Sequence, residues 1–233
     1  MAAALLLMGG PAWSEEPTQV MGTKEGRLFW VIPNYQTVEE RRSTPSISAG
    51  DKFLIAIKDS FDPYAFPIAG FYASIAQAQN EYPSWGSGAE GFEKRFLAAL
   101  ADQTVSNMMA EGVFPVVLHQ DPRFFRLGRG GFFYRLGYAA SRVFITRGDD
   151  GAAQFNASEV GGNAVMAIGS NLYTPREDRG VSDTAVKWGI QLSVDMVGSI
   201  FREFWPDIKQ MLTGKGNRED RALDPKSLGG GSE

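Results

Sequence analysis

Ser182-Asp-Thr-Ala-Val-Lys-Trp-Gly-Ile-Gln-Leu-Ser-Val-Asp-Met-Val-Gly-Ser-Ile-Phe-Arg-Glu-Phe-Trp205 is the stretch whose periodicity decides the fold. On a helical repeat, Lys187, Gln191, Asp195 and Arg202 fall on one narrow polar stripe, and Val186, Trp188, Ile190, Leu192, Met196, Val197, Ile200, Phe201 and Phe204 cover most of the remainder. A helix this apolar around its circumference is central to a bundle, or touches lipid or another subunit. Pro206 is expected to end or kink it, and the charged, Gly-rich residues 213–233 read as a disordered tail.

Upstream segments read as helix too. Asn156-Ala-Ser-Glu159 supplies a cap for a run of small residues through Gly161, Gly162, Ala164, Ala167, Gly169 and Ser170. Each glycine costs a helix about 1 kcal/mol relative to alanine, so another backbone is expected to pack directly on this face. Ser87 and Glu90 stand at capping-box spacing before a helix from about Ala89 to Glu111, with Phe92, Phe96, Ala99, Gln103, Ser106 and Ala110 on one stripe. Gly112 is expected to close it and Pro115 to prevent its resumption. Gly86-Ser-Gly-Ala-Glu-Gly91 also spells the dinucleotide fingerprint, but Glu81-Tyr-Pro-Ser-Trp85 before it is no buried strand, so these glycines read as a loop.

Ser48 and Asp51 cap an earlier helix through Phe53, Ile57 and Phe61, stopped at Asp62-Pro63. Tyr64 to Asn80 forms the next, where Gly70, Ala73, Ser74, Ala76 and Ala78 permit close approach of a neighbour. The chain is therefore expected to be all-α, a single bundle of five or six helices over 48–212. An extended arm over 15–47 leads into it, because the apolar octet Leu28 to Tyr35 is too short for a helix and contains Pro33.

Composition narrows the function classes. A net charge of −4 argues against nucleic acid as the partner. With no cysteine and one histidine, disulfides and thiolate chemistry are excluded, and neither a metal site nor a cofactor is expected. Residues 1–14 read as a signal-peptide remnant: an apolar run, then Ala12 and Ser14 at the small positions of a cleavage site. The implied localisation is export, to the periplasm or the outer membrane of a bacterium.

One segment stands apart chemically. Pro122–Arg147 holds six arginines (Arg123, Arg126, Arg129, Arg135, Arg142 and Arg147) and seven aromatics, with no acid or lysine. Arginine meets phosphate through a planar fork, and aromatic rings suit a boundary between apolar and wet surroundings. Arg123, Arg126, Arg129, Arg135 and Arg142 are thus candidates for binding an anionic surface such as lipid headgroups. The alternative is structural: the arginines pair with Asp102, Glu111, Asp149 and Asp150 inside a module of a homo-oligomer. Locally, Asp121-Pro122 is expected to open a helical turn, Gly128-Arg-Gly-Gly131 to form a loop, and Phe132 to Thr146 to form a helix stopped by Gly148-Asp-Asp-Gly151.

His119, Asp121 and Arg123 are the candidate catalytic residues of a hydrolase-like enzyme, with the carboxylate orienting a general base. Residues two apart share a side only in extended chain. No nucleophile elbow and no second histidine accompany them.

Val31-Ile-Pro-Asn-Tyr35, Asp62-Pro63, the Gly-rich entry to Lys94-Arg95, His119-Gln-Asp-Pro-Arg-Phe-Phe125 and Ser141-Arg142 together resemble a group of exported bacterial proteins of unknown function. Members of that group can follow carboxypeptidase-regulatory-like β-domains, which this chain lacks. The resemblance spans roughly residues 28 to 208 and implies no activity. The leading expectation is a non-enzymatic cell-envelope protein associating with a membrane surface or an envelope partner through the Arg/aromatic segment.

Overall fold

Side-chain capping sets where the helical part begins. Ser48 Oγ accepts the Asp51 N–H at 3.2 Å and Asp51 Oδ2 accepts the Ser48 N–H at 3.2 Å, the reciprocal box that their spacing implies. Helix α1 then runs Ala49–Phe61. The computed structural model describes residues 27–28, 32–33, 37–39 and 45–213. The expected signal remnant at 1–14, most of the arm over 15–47 and the tail beyond Thr213 lie outside the described residues.

Two short strands of the arm, β1 (Arg27–Leu28) and β2 (Ile32–Pro33), pair antiparallel. A third, β3 (Thr37–Glu39), pairs in parallel with β5 (Phe124–Arg126), so the arm docks on the central segment. After α1 come α2 (Ala65–Ala78) and α3 (Ala89–Asn107), which continues through a π-helical turn (Met108–Val113) into α4 (Phe114–Val117). Strands β4 (Gln120–Asp121), β6 (Ile145–Gly148) and β7 (Ala153–Phe155) form a small antiparallel sheet in the order β4-β6-β7. Helices α5 (Phe132–Ser141), α6 (Ala157–Gly169) and α7 (Val181–Thr213) complete an all-α fold of six helical rods, counting α3 to α4 as one.

Several expected boundaries are corrected. Gly88, not Ser87, is the N-cap of α3, and Glu90 pairs with Lys94 at 2.6 Å instead of closing a capping box. The glycine loop before it wraps a buried guanidinium: Arg95 donates to Gly86 O at 2.8 Å, Gln77 Oε1 at 2.7 Å and Glu81 O at 2.9 Å. A Cβ on Gly91 would lie 2.2 Å from Gly86 O, so the last glycine of the fingerprint permits that wrap. The helix does not stop at Gly112. Phe114 N–H bonds Met109 O across a π turn, and Pro115, lacking an N–H, sits at the start of α4. Gly112 serves packing, for a Cβ there would come within 3.1 Å of the Phe53 ring.

Asp121-Pro122 opens no helix. Asp121 lies in β4, and its Oδ1 accepts the Arg123 N–H at 3.0 Å, turning the chain into β5. Helix α5 ends at Ser141 rather than Thr146 because 145–148 pairs on both sides within the sheet, Thr146 Oγ1 also bonding Asp121 O at 3.0 Å. Helix α7 runs through Pro206 to Thr213. Asn156 caps α6 as its spacing implies, Oδ1 accepting the Glu159 N–H at 3.1 Å.

The helices turn small and polar side chains inward and large apolar ones outward. Helix α1 buries Lys52, Ile55, Ala56 and Ser60 while Leu54, Ile57 and Phe61 are exposed. Helix α2 buries Ala65, Ala69 and Ala73 and exposes Phe66, Phe71 and Ile75. The polar stripe of α7 faces the bundle: Lys187 pairs with Asp102 at 2.9 Å, and Asn163 of α6 donates to Asp195 at 2.8 Å. Val186, Ile190, Val197 and Phe201 of the same helix are exposed.

The close backbone contact expected on the α6 glycines is present, since a Cβ on Gly162 would lie 2.6 Å from the Ala110 N of the π turn. Gly162→Ala is expected to destabilise by about 1–3 kcal/mol through overpacking. Gly189→Ala on α7, with nothing within 4 Å of the added Cβ, is expected to stabilise by up to about 1 kcal/mol. Urea unfolding midpoints of the two variants check both signs.

Candidate functional site

The arginines of the central segment are mostly spent inside the molecule. Arg123 forks onto Asp121, Nε to Oδ1 at 2.9 Å and Nη2 to Oδ2 at 2.6 Å, and Nη2 also reaches Pro45 O at 2.6 Å. Arg135 Nε donates to Glu203 Oε1 at 2.8 Å and Nη1 pairs with Asp207 at 2.6 Å. The Glu203 side chain is 0% exposed, and it also accepts the backbone N–H groups of Leu127 and Gly128 at 2.9 Å each. One turn before Pro206, the Glu203 carbonyl takes Arg126 Nε at 3.0 Å and Arg135 Nη2 at 2.9 Å. Arg142 lies over the Tyr138 ring at 4.7 Å and Arg147 over Phe125 at 4.5 Å.

Of the five arginines expected to bind an anionic surface, Arg123, Arg126 and Arg135 are therefore held internally, Arg142 is half-buried, and Arg129 is exposed. Their carboxylate partners are Asp121, Glu203 and Asp207. Two of the four acids expected for an internal role go elsewhere: Asp149 takes Lys52 at 2.7 Å, and Asp102 takes Lys187 and the Tyr173 hydroxyl. Arg135→Gln strands the buried Glu203 charge and is expected to cost about 3–5 kcal/mol. Arg129→Gln is expected to stay within about 0.5 kcal/mol; chemical denaturation distinguishes them.

His119 and Asp121 are not brought together. His119 occupies left-handed backbone (φ 53°) after α4, its side chain 84% exposed, with Asp149 Oδ2 at 3.8 Å from Nδ1. Asp121 is buried and committed to Arg123.

Asp121, Arg123 and Arg142 do share a wall of a polar cavity of about 250 Å³ between α1, the α3–α4 rod, the small sheet, α6 and α7. Glu159 and Asp195 line the same cavity. Asp195 accepts from Asn163 Nδ2 at 2.8 Å and Gln191 Nε2 at 3.0 Å; Asn163 is oriented by a hydrogen bond from the Ser106 hydroxyl to its Oδ1. Protein surrounds both carboxyls while part of their surface stays open to the cavity. Burial, and then the neighbouring Asp195 charge, push the Glu159 carboxyl well above the ordinary carboxylate range, and burial raises Asp195 as well. The pair takes up a proton more readily than free carboxyls do, and the two titrate together.

The Ser158 hydroxyl and Arg142 Nε on the cavity wall have no hydrogen-bond partner. Among the described residues no group of three or more His, Asp or Glu side chains could hold a metal ion. Sequence reading assigned Glu159 to a helix cap and Asp195 to a narrow polar stripe. The available clue was an acid at each of two helical positions with an amide four residues away, Glu159 with Asn163 and Asp195 with Gln191.

No family model, no curated protein and no solved structure matches this chain.

A carboxyl with raised proton affinity stays protonated to higher pH in the folded chain than in the unfolded one. Its stabilisation is complete below the unfolded value and is lost as pH rises through the folded one. The unfolding free energy of wild type, minus that of Glu159→Gln, is therefore expected to fall as pH rises from the ordinary carboxylate range towards neutrality. Denaturant melts of the two proteins at a series of pH values measure that difference.

Proposed function

We propose that this is a non-enzymatic protein of the bacterial cell envelope that associates with a membrane surface through an outward-facing apolar stripe and the aromatic entry to α5. One observation carries this reading: α7 turns Lys187, Asp195 and Glu203 towards the bundle and presents Val186, Ile190, Val197 and Phe201 outward. Exposed apolar surface of this extent marks a lipid or partner contact. The stripe reaches Phe204, whose ring meets Phe132 at 5.1 Å, and Phe132 in turn packs edge-on against Phe133 at 5.3 Å. Phe133 is 83% exposed, and Tyr134 and Arg129 are exposed beside it. Aromatics flanked by a cation suit the headgroup boundary. No described helix is long and apolar enough to cross a membrane, so the contact is read as lying on a surface. The apolar run within residues 1–14, with Ala12 and Ser14 at the small positions of a cleavage site, supports export to the periplasm or outer membrane.

Headgroup contact thus moves from the five arginines to Arg129 and the aromatics around it. Flotation with anionic and neutral liposomes tests this. Wild type is expected to float with anionic vesicles at low salt. Arg129→Gln should weaken partition roughly fivefold, since a basic residue near an anionic surface contributes about 1 kcal/mol. A Phe133→Ser/Phe201→Ser variant should remain at the bottom of the gradient with its fold intact. Wild type that ignores both vesicle types overturns the membrane reading; if it then forms a discrete oligomer, the stripe belongs to a homo-oligomer interface.

A further inference from the structure

We propose that the polar cavity is a binding site for a small primary amine, its ammonium group held between Glu159 and Asp195. This goes beyond the membrane contact and rests on different residues. Across the cavity five carboxyls (Asp59, Glu111, Asp121, Glu159 and Asp195) face three guanidiniums (Arg123, Arg142 and Arg202), and Arg123 is already forked onto Asp121. Burial disfavours two negative charges side by side at Glu159 and Asp195 and raises the proton affinity of both. Burial favours a proton on the pair more strongly than the neighbouring cation, Arg202, opposes it. An entering ammonium adds a cation in direct contact and, unlike a single proton, can donate to both carboxyls and a third acceptor at once.

The third acceptor is present. Ser158 is 3% exposed and lines the cavity, and its Oγ has no partner. It is adjacent in sequence to Glu159, at the first turn of α6. Helix capping does not require that hydroxyl, because the cap is Asn156 and the Ser158 N–H is taken by Gln120 Oε1 at 2.9 Å. Asn163 Nδ2 bridges the pair, donating to Asp195 at 2.8 Å and to Glu159 Oε1 at 3.4 Å, and Gln191 holds the other Asp195 oxygen. Arg202 is close enough to act on both carboxyls electrostatically, and it could receive the carboxylate of a zwitterionic amine. The remaining charged or titratable groups facing the pair are Asp59 from α1, Tyr64 before α2, Tyr72 of α2, Glu111 from the π turn and Arg142 after α5.

Charge balance is simple: the amine enters as ammonium, the proton taken up by the pair leaves for solvent, and no covalent bond forms or breaks. Calorimetric titration of the full protein with putrescine, L-alanine and glucose tests the site. Saturable binding of at least one amine is expected, tighter as pH rises from mildly acidic to mildly alkaline. The heat should differ between two buffers of unlike ionisation enthalpy, which reports the released proton. Asp195→Asn should weaken binding roughly ten- to a hundredfold, the loss of a charge-assisted hydrogen bond. Should that variant unfold, Ser158→Ala removes only the unpartnered hydroxyl and should weaken binding several-fold at unchanged stability. If the ligand is an amino acid, Arg202→Gln weakens alanine and spares putrescine; if it is a free amine, putrescine alone binds. The proposal is overturned by absence of heat from both amines at millimolar concentration, by glucose binding without proton release, or by undiminished amine binding in both Asp195→Asn and Ser158→Ala.

Discussion

Everything on one side of this molecule hangs from the Glu203 carboxylate. It has no contact with solvent, and it accepts the Arg135 guanidinium and two successive backbone N–H groups. A lone charge in that position would cost several kcal/mol, so the partners must be assembled for the helix to seat at all. Leu127 and Gly128 belong to the loop before α5, and Arg135 belongs to α5 itself. The single carboxylate therefore sets the rotation of α7 against the Arg/aromatic segment. With Glu203 facing in, Ser199, Asp195 and Lys187 follow it inward along the helix, and the opposite flank of Val186, Ile190, Val197 and Phe201 is left outside.

That rotation joins the cavity to the surface. Asp195 and Arg202 line the cavity because the polar stripe is turned inward, and the same turn creates the outer apolar flank. Arg95 within the glycine loop and Lys52 between Asp149 and the Pro115 carbonyl do comparable work on the other helices. Each is a long cation whose head is satisfied by backbone carbonyls or a carboxylate, so loops close around charge where a conventional core would close around Leu or Phe.

Local signals were legible in the sequence and directional ones were not. The Ser48 and Asn156 caps bond to backbone three residues on, and both are where spacing places them. Gly162 likewise implied a close backbone because the cost of a helical glycine needs a reason. The α7 periodicity separates two flanks but carries no information about which one is inside; hydrophobic patterning would put the apolar flank in, and Glu203 puts it out. The strands β4 to β7 are too short to show alternation, and the pairing of Asp121 with Arg147 spans a whole helix. The glycine and proline in 112–115 looked terminal because the π turn that absorbs them depends on Phe53 and Gly161 packing from other helices. Likewise the cavity joins acids from α6 and α7, more than thirty residues apart in the chain.

The inward placement of polar groups also bears on how the fold responds to temperature. Heat-capacity change on unfolding grows with apolar surface newly wetted and shrinks with polar surface newly wetted. A chain whose interior is rich in Ala, Ser and buried charged groups, and which leaves Phe61, Phe66, Phe71, Phe133, Ile57 and Ile190 among others already wet, has less of the first and more of the second. Its stability curve as an isolated monomer is accordingly broad and shallow.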